Sequence, residues 1–390
     1  MFKIQTMNSI SEVGTAYLEK RGAEVGKNIE NPDALLIRSA NLHGAEMGGN
    51  LLAIGRAGAG FNNIPIEDCA EKGIVVFNSP GANAEAVKEQ IMMALVMASR
   101  DVLGGIDYVR SIADRGEEIP ELVEKGKNSF TGPELMNKTL GVIGLGAIGA
   151  LVANLALEFG MTVYGYDPFM SVDAAWRLSR EVKHAERLDE IFAASDYISV
   201  NVPYNEMTHH LLNAEAFAQM RPGVRIVNES RAEIIDDEAM KDALDAGRVG
   251  KYVTDFPNST ILTAPNVIAL PHLGACTPES EERCAEMAAA ELWDYLENGN
   301  IRNSVNLPNA QLARMGVCRI CVIHRNVPRM INNILDFISD RNINIEHMIN
   351  KPRDEYAYTI IDLGKKIGPQ TADAIRRMDN IIRVRVIYTD

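Results

Sequence analysis

The sequence predicts an α/β protein with two Rossmann-like parallel-sheet domains and a ferredoxin-like βαββαβ domain at its C-terminal end. Three observations support this prediction. The length of 390 residues suits two or three domains. As far as residue 270, short apolar runs alternate with helical patterns, which is typical of βαβ units in parallel sheets. After Gly316 the pattern becomes strand, helix, strand, strand, helix, strand.

The composition sets broad limits on function. Hydrophobic residues make up 46% of the chain and charged residues 24%, which is enough apolar material for packed cores. The net charge of -14 argues against nucleic acid as a partner. Five cysteines, an odd number, are too few for a disulfide scaffold, so we expect a cytoplasmic protein. The longest apolar run, residues 91–98, is far shorter than the ~20 residues of a membrane span, so no membrane partner is expected.

The first block of the chain predicts one parallel sheet. An acidic helix is predicted over residues 65–72, and a long helical stretch over residues 84–110 leaves the block. The runs typical of strands are residues 1–7, 34–37, 51–54 and 74–77.

A second parallel series begins at Thr139. Thr277 and Pro278 then open a helix to about Glu297, with a hydroxyl cap and a proline at the first helical position. This helix is long enough to return to the first block, so we predict a discontinuous first domain, 1–97 with 275–310, around a second domain, 98–274. The predicted strands of the second series are residues 140–143, 162–166, 197–202, 224–227, 252–254 and 267–270.

The third domain is predicted over residues 316–390. Its last strand shows a period of two, because Ile382, Val384 and Val386 alternate with Arg383 and Arg385. The predicted strands are residues 317–323, 343–349, 356–363 and 382–388, and the predicted helices are residues 328–341 and 371–378.

A glycine-rich turn follows the strand at 140–143. It is a G-x-G-x-x-G sequence formed by Gly144, Leu145, Gly146, Ala147, Ile148 and Gly149. Glycines let the backbone approach a pyrophosphate, which the positive end of the following helix holds. Asp167 ends the next strand, where a carboxylate accepts hydrogen bonds from a ribose 2′-hydroxyl and repels a 2′-phosphate. The turn therefore predicts a site for NAD rather than NADP; the alternative is a tight turn that binds nothing.

Three polar residues follow strands of the second series: Arg231, Asp255 and His272. Because reactive groups gather beyond the carboxyl ends of parallel strands, we expect them to lie close together. Arg231 can bind a carboxylate bidentately, and His272 can exchange a proton with the reacting oxygen. Asp255 can accept a hydrogen bond from a nicotinamide amide. This set predicts hydride transfer at a carbonyl next to a carboxylate.

Four segments resemble the D-isomer-specific 2-hydroxyacid dehydrogenase family: residues 51–60, the glycine turn with Asp167, residues 228–231 and residues 271–274. The resemblance covers essentially the whole chain, in order. It is strongest to members that oxidise 3-phospho-D-glycerate to 3-phosphohydroxypyruvate with NAD, the first step of L-serine biosynthesis. It implies Arg231 and His272 as the catalytic residues. The cofactor contacts that it implies are Gly144, Gly146, Ala147, Ile148, Gly149, Asp167, Pro203, Thr208, Asn228, Glu229, Ser230, Asp255 and Gly274.

The first domain offers contacts for an anionic substrate. Arg56 ends a strand, and the polar turn at 78–83, similar to the substrate loop of the family, precedes a helix. Both are natural anion contacts, and a phosphoglycerate needs one at each end. A solvated strand end is the alternative for Arg56. The predicted substrate contacts are Arg56, Asn78, Ser79 and Gly81.

One departure concerns the proton-transfer group. The family normally places a glutamate shortly after the aspartate, where it bonds the catalytic histidine, but residues 256–261 contain no carboxylate. Ser259 or Thr260 could orient the imidazole of His272 but cannot stabilise the imidazolium as an anion would.

The C-terminal domain resembles an ACT regulatory domain. His324, Asn326 and Asn344 match the serine-binding positions of that family, so the resemblance implies L-serine as an effector. Asparagine offers both a donor and an acceptor to an amino acid. Arg329 stands where the motif usually has glycine, and it could crowd or reshape the ligand pocket. The alternative is a plain dimerisation domain. In either case we expect the chain to form a homodimer or a homotetramer.

Two further hypotheses stay open. Another 2-hydroxyacid dehydrogenase, such as a glyoxylate or hydroxypyruvate reductase, would need no phosphate contact. A non-catalytic NAD-sensing scaffold would share the fold; the presence of Arg231 and His272 speaks against it, and the missing glutamate speaks for it.

Overall fold

The computed structural model describes residues 1–388 and contains two compact units. The first unit comprises Met1–Asn83 together with the described residues from Thr277 onward, and the second unit is Ala84–Cys276. The predicted boundaries of three domains stay a prediction.

The N-terminal part of the first unit is a parallel sheet. Its five strands lie in the order β2-β1-β3-β4-β5, and all neighbours are parallel. All four residues of β3 are buried because helices cover both faces of such a sheet. The strands are β1 (Lys3–Met7), β2 (Glu24–Gly26), β3 (Ala34–Ile37), β4 (Ala53–Arg56) and β5 (Val75–Phe77), and the helices are α1 (Glu12–Glu19) and α2 (Ile66–Glu71).

The second unit is built on a seven-stranded sheet whose strands are all parallel, in the order β12-β11-β10-β9-β6-β7-β8. The strands are β6 (Thr139–Ile143), β7 (Thr162–Tyr166), β8 (Lys183–His184), β9 (Tyr197–Val200), β10 (Val224–Asn228), β11 (Val249–Thr254) and β12 (Val267–Ala269). The helices are α3 (Ala84–Ser99), α4 (Val102–Ser111), α5 (Ile119–Gly126), α6 (Ala147–Glu158), α7 (Val172–Arg177), α8 (Leu188–Ala194), α9 (Ala214–Gln219), α10 (Asp237–Asp245) and α11 (Ser259–Leu262).

The strand order reverses beside β6. The chain runs outward from β6 through β7 to β8, then returns to β9 on the other side of β6 and continues to β12. Ligands bind beyond the carboxyl ends of the strands at such a reversal, because the two crossovers leave a crevice there. The predicted dinucleotide turn follows β6, so it lies at this reversal.

The predicted helix over residues 84–110 is wrong in one respect, because it is two helices. The first ends at Ser99, and Asp101 caps the second by accepting a hydrogen bond from the Gly104 N–H at 3.2 Å. Aspartate competes well for backbone N–H groups at a helix start, so it favours a break there.

The last part of the chain returns to the first unit through α12 (Pro278–Asn298), which Thr277 caps as predicted. A four-stranded antiparallel sheet follows, in the order β14-β15-β13-β16, with the predicted βαββαβ connectivity. Its elements are β13 (Cys318–Arg325), α13 (Met330–Ser339), β14 (Ile345–Arg353), β15 (Tyr356–Leu363), α14 (Pro369–Arg376) and β16 (Ile381–Tyr388).

The central strand β13 is buried on both faces. Ile320 and Val322 pack with α13 and α14, whereas Cys321 and Ile323 share a core with Tyr295 of α12.

The strand orders confirm the two predicted parallel sheets and the predicted ferredoxin-like sheet.

Arginines tie this antiparallel sheet to the C-terminal end of α12. Arg385 donates to the carbonyl oxygens of Tyr295 at 2.9 Å and Leu296 at 2.8 Å, and Arg319 donates to that of Asn298 at 2.7 Å. The last carbonyls of a helix have no intrahelical partners and carry partial negative charge, so guanidinium groups suit them.

Among residues 1–388, no helix combines the length and the apolar character needed to cross a membrane.

Candidate active site

The glycine turn has the shape that a pyrophosphate requires. Gly144 has φ +88°, and a Cβ there would come within 2.6 Å of the Asn201 carbonyl oxygen. A Cβ on Gly149 would lie 1.9 Å from the Gly144 carbonyl oxygen, so only glycine allows the helix to start so close to the strand. A Cβ on Gly146 would meet no atom within 4 Å, which leaves open space beside the backbone for a ligand.

Asp167 joins the end of β7 to this turn. Its Oδ2 accepts a hydrogen bond from the Leu145 N–H at 2.8 Å, and its Oδ1 accepts one from the Phe169 N–H at 2.9 Å. Each carboxylate oxygen has a further lone pair that can accept from a ribose hydroxyl. Ala147 and Ile148 begin the twelve-residue α6, whose free N–H groups face the turn. These residues fit the diphosphate and ribose of a dinucleotide.

The loop after β9 is closed by its own hydrogen bonds. The Thr208 hydroxyl donates to the Pro203 carbonyl oxygen at 2.7 Å and accepts from the Asn205 N–H at 2.8 Å. Pro203 and Thr208, two predicted cofactor contacts, lie on this loop. Because β9 is the neighbour of β6, the loop begins at the point where the strand order reverses.

Asn228 fixes the loop that carries Arg231. The Asn228 side chain is fully buried, donates to the Arg231 carbonyl oxygen at 2.9 Å and accepts from the Ser230 N–H at 3.1 Å. The Ser230 hydroxyl donates to the Val200 carbonyl oxygen at 2.8 Å. The loop therefore leaves β10 in a defined direction, and the half-buried guanidinium of Arg231 follows it.

Phe256 brings the two predicted catalytic residues together. Its ring makes an edge contact with the imidazole of His272, with 4.6 Å between centroids and 82° between planes. The guanidinium carbon of Arg231 lies 5.6 Å from the centroid of the same ring. His272 is solvent-exposed, so its ring can reach a substrate. The guanidinium of Arg231 and the imidazole of His272 thus both contact the ring of Phe256.

The two residues suggested to orient His272 belong to the segment around α11. Thr260 donates to Glu238 at 3.4 Å, and Ser259 begins the short helix α11. The side chain found against the imidazole is Phe256, which no motif in the sequence marks.

Two carboxyl groups lie buried at the ends of neighbouring strands. Asp255 follows β11 and is 3% exposed, and Glu229 follows β10. Burial raises the pKa of Asp255, while the positive charges of His272 and Arg231 act in the opposite direction. Burial, with a further contribution from Asp255, raises the pKa of Glu229 to about 8. The Asp255 interaction with His272 gives the imidazole a nearby anion despite the missing glutamate.

The first unit presents a separate basic cluster around Arg56. The Nε of Arg56 donates to Asn63 Oδ1 at 3.1 Å, and a Cβ on Gly58 would approach Arg56 Nη1 to 2.4 Å. Burial raises the pKa of the Cys284 thiol, and the guanidinium groups of Arg38, Arg283 and Arg56 oppose that shift. Three guanidinium groups therefore act electrostatically on one buried side chain, and an anion near it would be attracted.

The predicted substrate turn is held by internal bonds. Asn78 donates to the Ala59 carbonyl oxygen at 2.6 Å, and the buried Ser79 hydroxyl donates to the Cys284 carbonyl oxygen at 2.8 Å. Gly81 has φ +77°, a conformation that glycine adopts without strain. These side chains shape the turn, so backbone N–H groups are its natural contacts for an anion.

The three predicted effector residues differ in their surroundings. His324 is buried, with its Nδ1 2.7 Å from the Arg325 carbonyl oxygen and its Nε2 2.9 Å from the Thr359 hydroxyl. Asn326 donates to the Asp354 carbonyl oxygen at 3.1 Å, and the exposed Asn344 donates to a Glu346 carboxylate oxygen at 2.8 Å. The two asparagines keep spare hydrogen-bonding capacity, whereas both ring nitrogens of the histidine are occupied.

The second unit matches a known family. Residues 93–274 fit the family model described as "D-isomer specific 2-hydroxyacid dehydrogenase, NAD binding domain", which confirms the prediction of NAD as the cofactor. The hydroxypyruvate reductase of Thermotoga maritima is 39% identical over 284 residues, which are 70% of this chain and 87% of that protein.

Two further proteins are similar over more of the chain. The D-3-phosphoglycerate dehydrogenase of Methanocaldococcus jannaschii is 32% identical over 356 residues, 89% of this chain, and this chain spans 64% of its length. The solved structure of cofactor-bound 3-phosphoglycerate dehydrogenase from Entamoeba histolytica superimposes with a TM-score of 0.61 and 26% identity, covering 78% of this chain and 98% of that one.

Proposed function

Because this chain belongs to the D-isomer-specific 2-hydroxyacid dehydrogenase family, we propose that it oxidises 3-phospho-D-glycerate to 3-phosphohydroxypyruvate with NAD, the first step of L-serine biosynthesis. The observation that carries the proposal is the placement of Arg231 and His272 on the ring of Phe256. A 2-hydroxy acid has its carboxylate one bond from the reacting carbon, so a cation and a proton-transfer group must lie side by side.

Three residues of the second unit, Arg231, His272 and Asp255, each have one role in the proposed reaction. The glycine turn and Asp167 would hold NAD, which would supply the acceptor for the hydride on C2 of the hydroxy acid. The guanidinium of Arg231 binds the carboxylate and so fixes the direction of the C2–H bond. The Nε2 or Nδ1 of His272 takes the proton from the hydroxyl, and Asp255 stabilises the imidazolium that results. In the reverse direction the same imidazolium returns the proton to the oxygen.

The phosphate is assigned to the basic cluster of the first unit. Arg56, with Arg38 and Arg283 near it, supplies local positive charge in a chain whose net charge is -14. Arg38 forms an ion pair with Glu281 at 2.7 Å. We assign the direct contact with the phosphate to Arg56, which ends β4. The phosphoglycerate dehydrogenases among the relatives support a phosphorylated substrate.

The direct test is an NADH absorbance assay with 3-phosphohydroxypyruvate. We expect turnover by the wild type, and a loss of kcat/KM of about 100- to 10,000-fold in His272→Asn, because general acid catalysis is removed. The matched control is His184→Asn, an exposed histidine at the edge of the same sheet, which should keep full activity. No turnover by the folded wild type would overturn the proposal.

A second assay separates the phosphorylated substrate from its competitor. The hydroxypyruvate reductase of T. maritima makes unphosphorylated hydroxypyruvate the alternative substrate. We expect Arg56→Ala to raise KM for 3-phosphohydroxypyruvate about 10- to 100-fold, because the variant loses one charged hydrogen bond to the phosphate. KM for hydroxypyruvate, which has no phosphate, should change little. Arg21→Ala, which removes an arginine stacked on Tyr17, is the control. Equal losses on both substrates would favour the reductase.

We extend the proposal to location and regulation. A homo-oligomeric, cytoplasmic enzyme whose C-terminal domain binds L-serine at Asn326 and Asn344 would match the resemblance to ACT domains. The spare donors and acceptors of these asparagines support it, and inhibition of the NADH assay by L-serine tests it. A light-scattering mass equal to that of one chain would exclude the oligomer.

A further inference from the structure

The carboxyl pair Glu229 and Asp255 is placed by the sheet itself. Strands β10 and β11 are paired with Asn228 opposite Thr254, so the next residue of each strand is a carboxylic acid at the same edge. Neighbouring strands are ~4.8 Å apart, and both side chains turn inward rather than to solvent. The Asp255 Oδ1 and both Glu229 carboxylate oxygens are buried without a hydrogen bond of normal geometry.

The surroundings of Glu229 give it no cation. A Cβ on Gly274 would lie 3.8 Å from Glu229 Oε2 and 3.3 Å from Val87 of α3, so the carboxyl group is under the segment that follows His272. From α3, the uncharged amide of Gln90 faces it. The Gln90 amide lowers the pKa of Glu229, but by less than burial and the charge of Asp255 raise it.

The charged and titratable groups around the pair are few. Asp255 faces the imidazole of His272 and the guanidinium of Arg231, and the buried Tyr252 hydroxyl lies within its electrostatic reach. Glu229 faces Asp255. In a site with little water, the repulsion between two nearby carboxylates makes ionisation of both unfavourable. One of them therefore retains a proton at neutral pH.

The cofactor brings a positive charge to this edge. The glycine turn after β6 would hold the diphosphate, so the nicotinamide half would lie over the other half of the sheet, which contains β10 and β11. The ring of NAD⁺ is positively charged, whereas that of NADH is neutral. A nearby positive charge favours the ionised form of a carboxylic acid.

We propose that Glu229 and Asp255 share one proton before the cofactor binds and release it to solvent when the positively charged ring of NAD⁺ enters beside them. The inference rests on the NAD-linked function proposed above. It makes Glu229 a positioning residue that discriminates the oxidised from the reduced cofactor, because the second negative charge exists only while NAD⁺ is bound.

Calorimetric titration with NAD⁺ in two buffers of different ionisation enthalpy tests the proton release. If the cofactor lowers the pKa of Glu229 by about one unit from about 8, the wild type releases about half a proton per NAD⁺ at pH 7.5. NADH and ADP-ribose, which lack the positive ring, should release almost none. Equal release with ADP-ribose would place the proton at the diphosphate end and overturn the inference.

Variants identify the group that holds the proton. Glu229→Gln keeps the shape and should abolish the release, and Asp255→Asn should reduce it, because Glu229 then ionises more easily. The matched control is Glu291→Gln, since Glu291 of α12 is also buried with its pKa raised by burial to about 8 but belongs to the first unit. Undiminished release from Glu229→Gln would overturn the assignment.

The wild type alone provides an independent check if a variant does not fold. The proton is released on binding, so the affinity for NAD⁺ should increase with pH, by about tenfold between pH 6 and pH 9.5, relative to that for NADH. A ratio of the two affinities that is constant over this range contradicts the inference. None of these measurements uses a hydroxy acid. They therefore test the proton release even if the chain does not turn over 3-phosphohydroxypyruvate.

Discussion

The imidazole of His272 stands at 82° to the ring of Phe256, with 4.6 Å between their centroids, which makes Phe256 a support for the predicted proton-transfer group. The same ring lies under the guanidinium of Arg231. Aromatic rings have a negative face and a positive edge, so they orient an imidazole and a cation at the same time. Phe256 therefore orients the imidazole of His272 by ring contact, a role that a hydrogen-bonded carboxylate could otherwise have.

Phe256→Ala is expected to lower kcat/KM for 3-phosphohydroxypyruvate about 10- to 100-fold, because small displacements of catalytic groups cost about that much. NADH affinity, measured by fluorescence titration, should change little. Phe256→Leu keeps an apolar contact and should recover part of the loss. If both variants keep full activity, Phe256 does not position these groups.

Asp167→Asn should weaken the discrimination between NAD and NADP. The carboxylate charge opposes a 2′-phosphate, so its removal should tighten binding of NADP⁺ about tenfold, while NAD⁺ loses a charged hydrogen bond and binds about tenfold more weakly. The amide oxygen of the variant can still accept from one of the two backbone N–H groups that Asp167 binds. Asp189→Asn, an exposed carboxylate of the same unit, is the control. Unchanged affinities would exclude Asp167 from the ribose site.

Arg329→Gly should stabilise the C-terminal domain. Arg329 precedes α13 with φ +70°, a left-handed conformation that costs a non-glycine residue about 1 kcal/mol. We expect a higher urea midpoint for this variant, whereas Arg341→Gly, at a position without positive φ, should lower it. The smaller residue should also strengthen inhibition by L-serine if the predicted effector site is correct. A lower midpoint for Arg329→Gly contradicts the strain argument.

Arg319→Met should destabilise the protein by about 3–5 kcal/mol, because it leaves a buried carboxylate without its cation. Arg319 is 1% exposed and donates to both oxygens of Asp362, at 2.6 and 2.8 Å. The unfolding free energy from denaturant titration measures the loss. The double variant Arg319→Met with Asp362→Leu should recover much of it. Arg187→Met, in an exposed pair with Asp189, should leave the unfolding midpoint nearly unchanged.

The sequence predicted those features whose signal is local. The glycine turn, its following helix and Asp167 are close in the chain and have a fixed spacing, so their geometry follows from the motif. The alternation of Arg383 and Arg385 with apolar neighbours likewise predicted β16. Arg231 and His272 were predicted from their positions after strands, and the parallel sheet brings them to one ring.

Features that depend on burial were not predictable from the sequence. Glu229 looked like an ordinary residue of the cofactor loop, because its lack of a cation depends on α3 and on the Gly274 segment, which are distant in the chain. Phe256 carries no motif. The break between α3 and α4 depends on one capping interaction, which the apolar pattern across residues 84–110 conceals.

The burial of β13 on both faces has a consequence for the lifetime of the native state. Its amide hydrogens are bonded to strands on either side, and no face of the strand is open to solvent. Such protons exchange only when a whole cooperative region opens. Deuterium uptake along β13 should therefore be as slow as in the N-terminal sheet, and a chain cut near residue 316 should expose the apolar surface of α12 and aggregate.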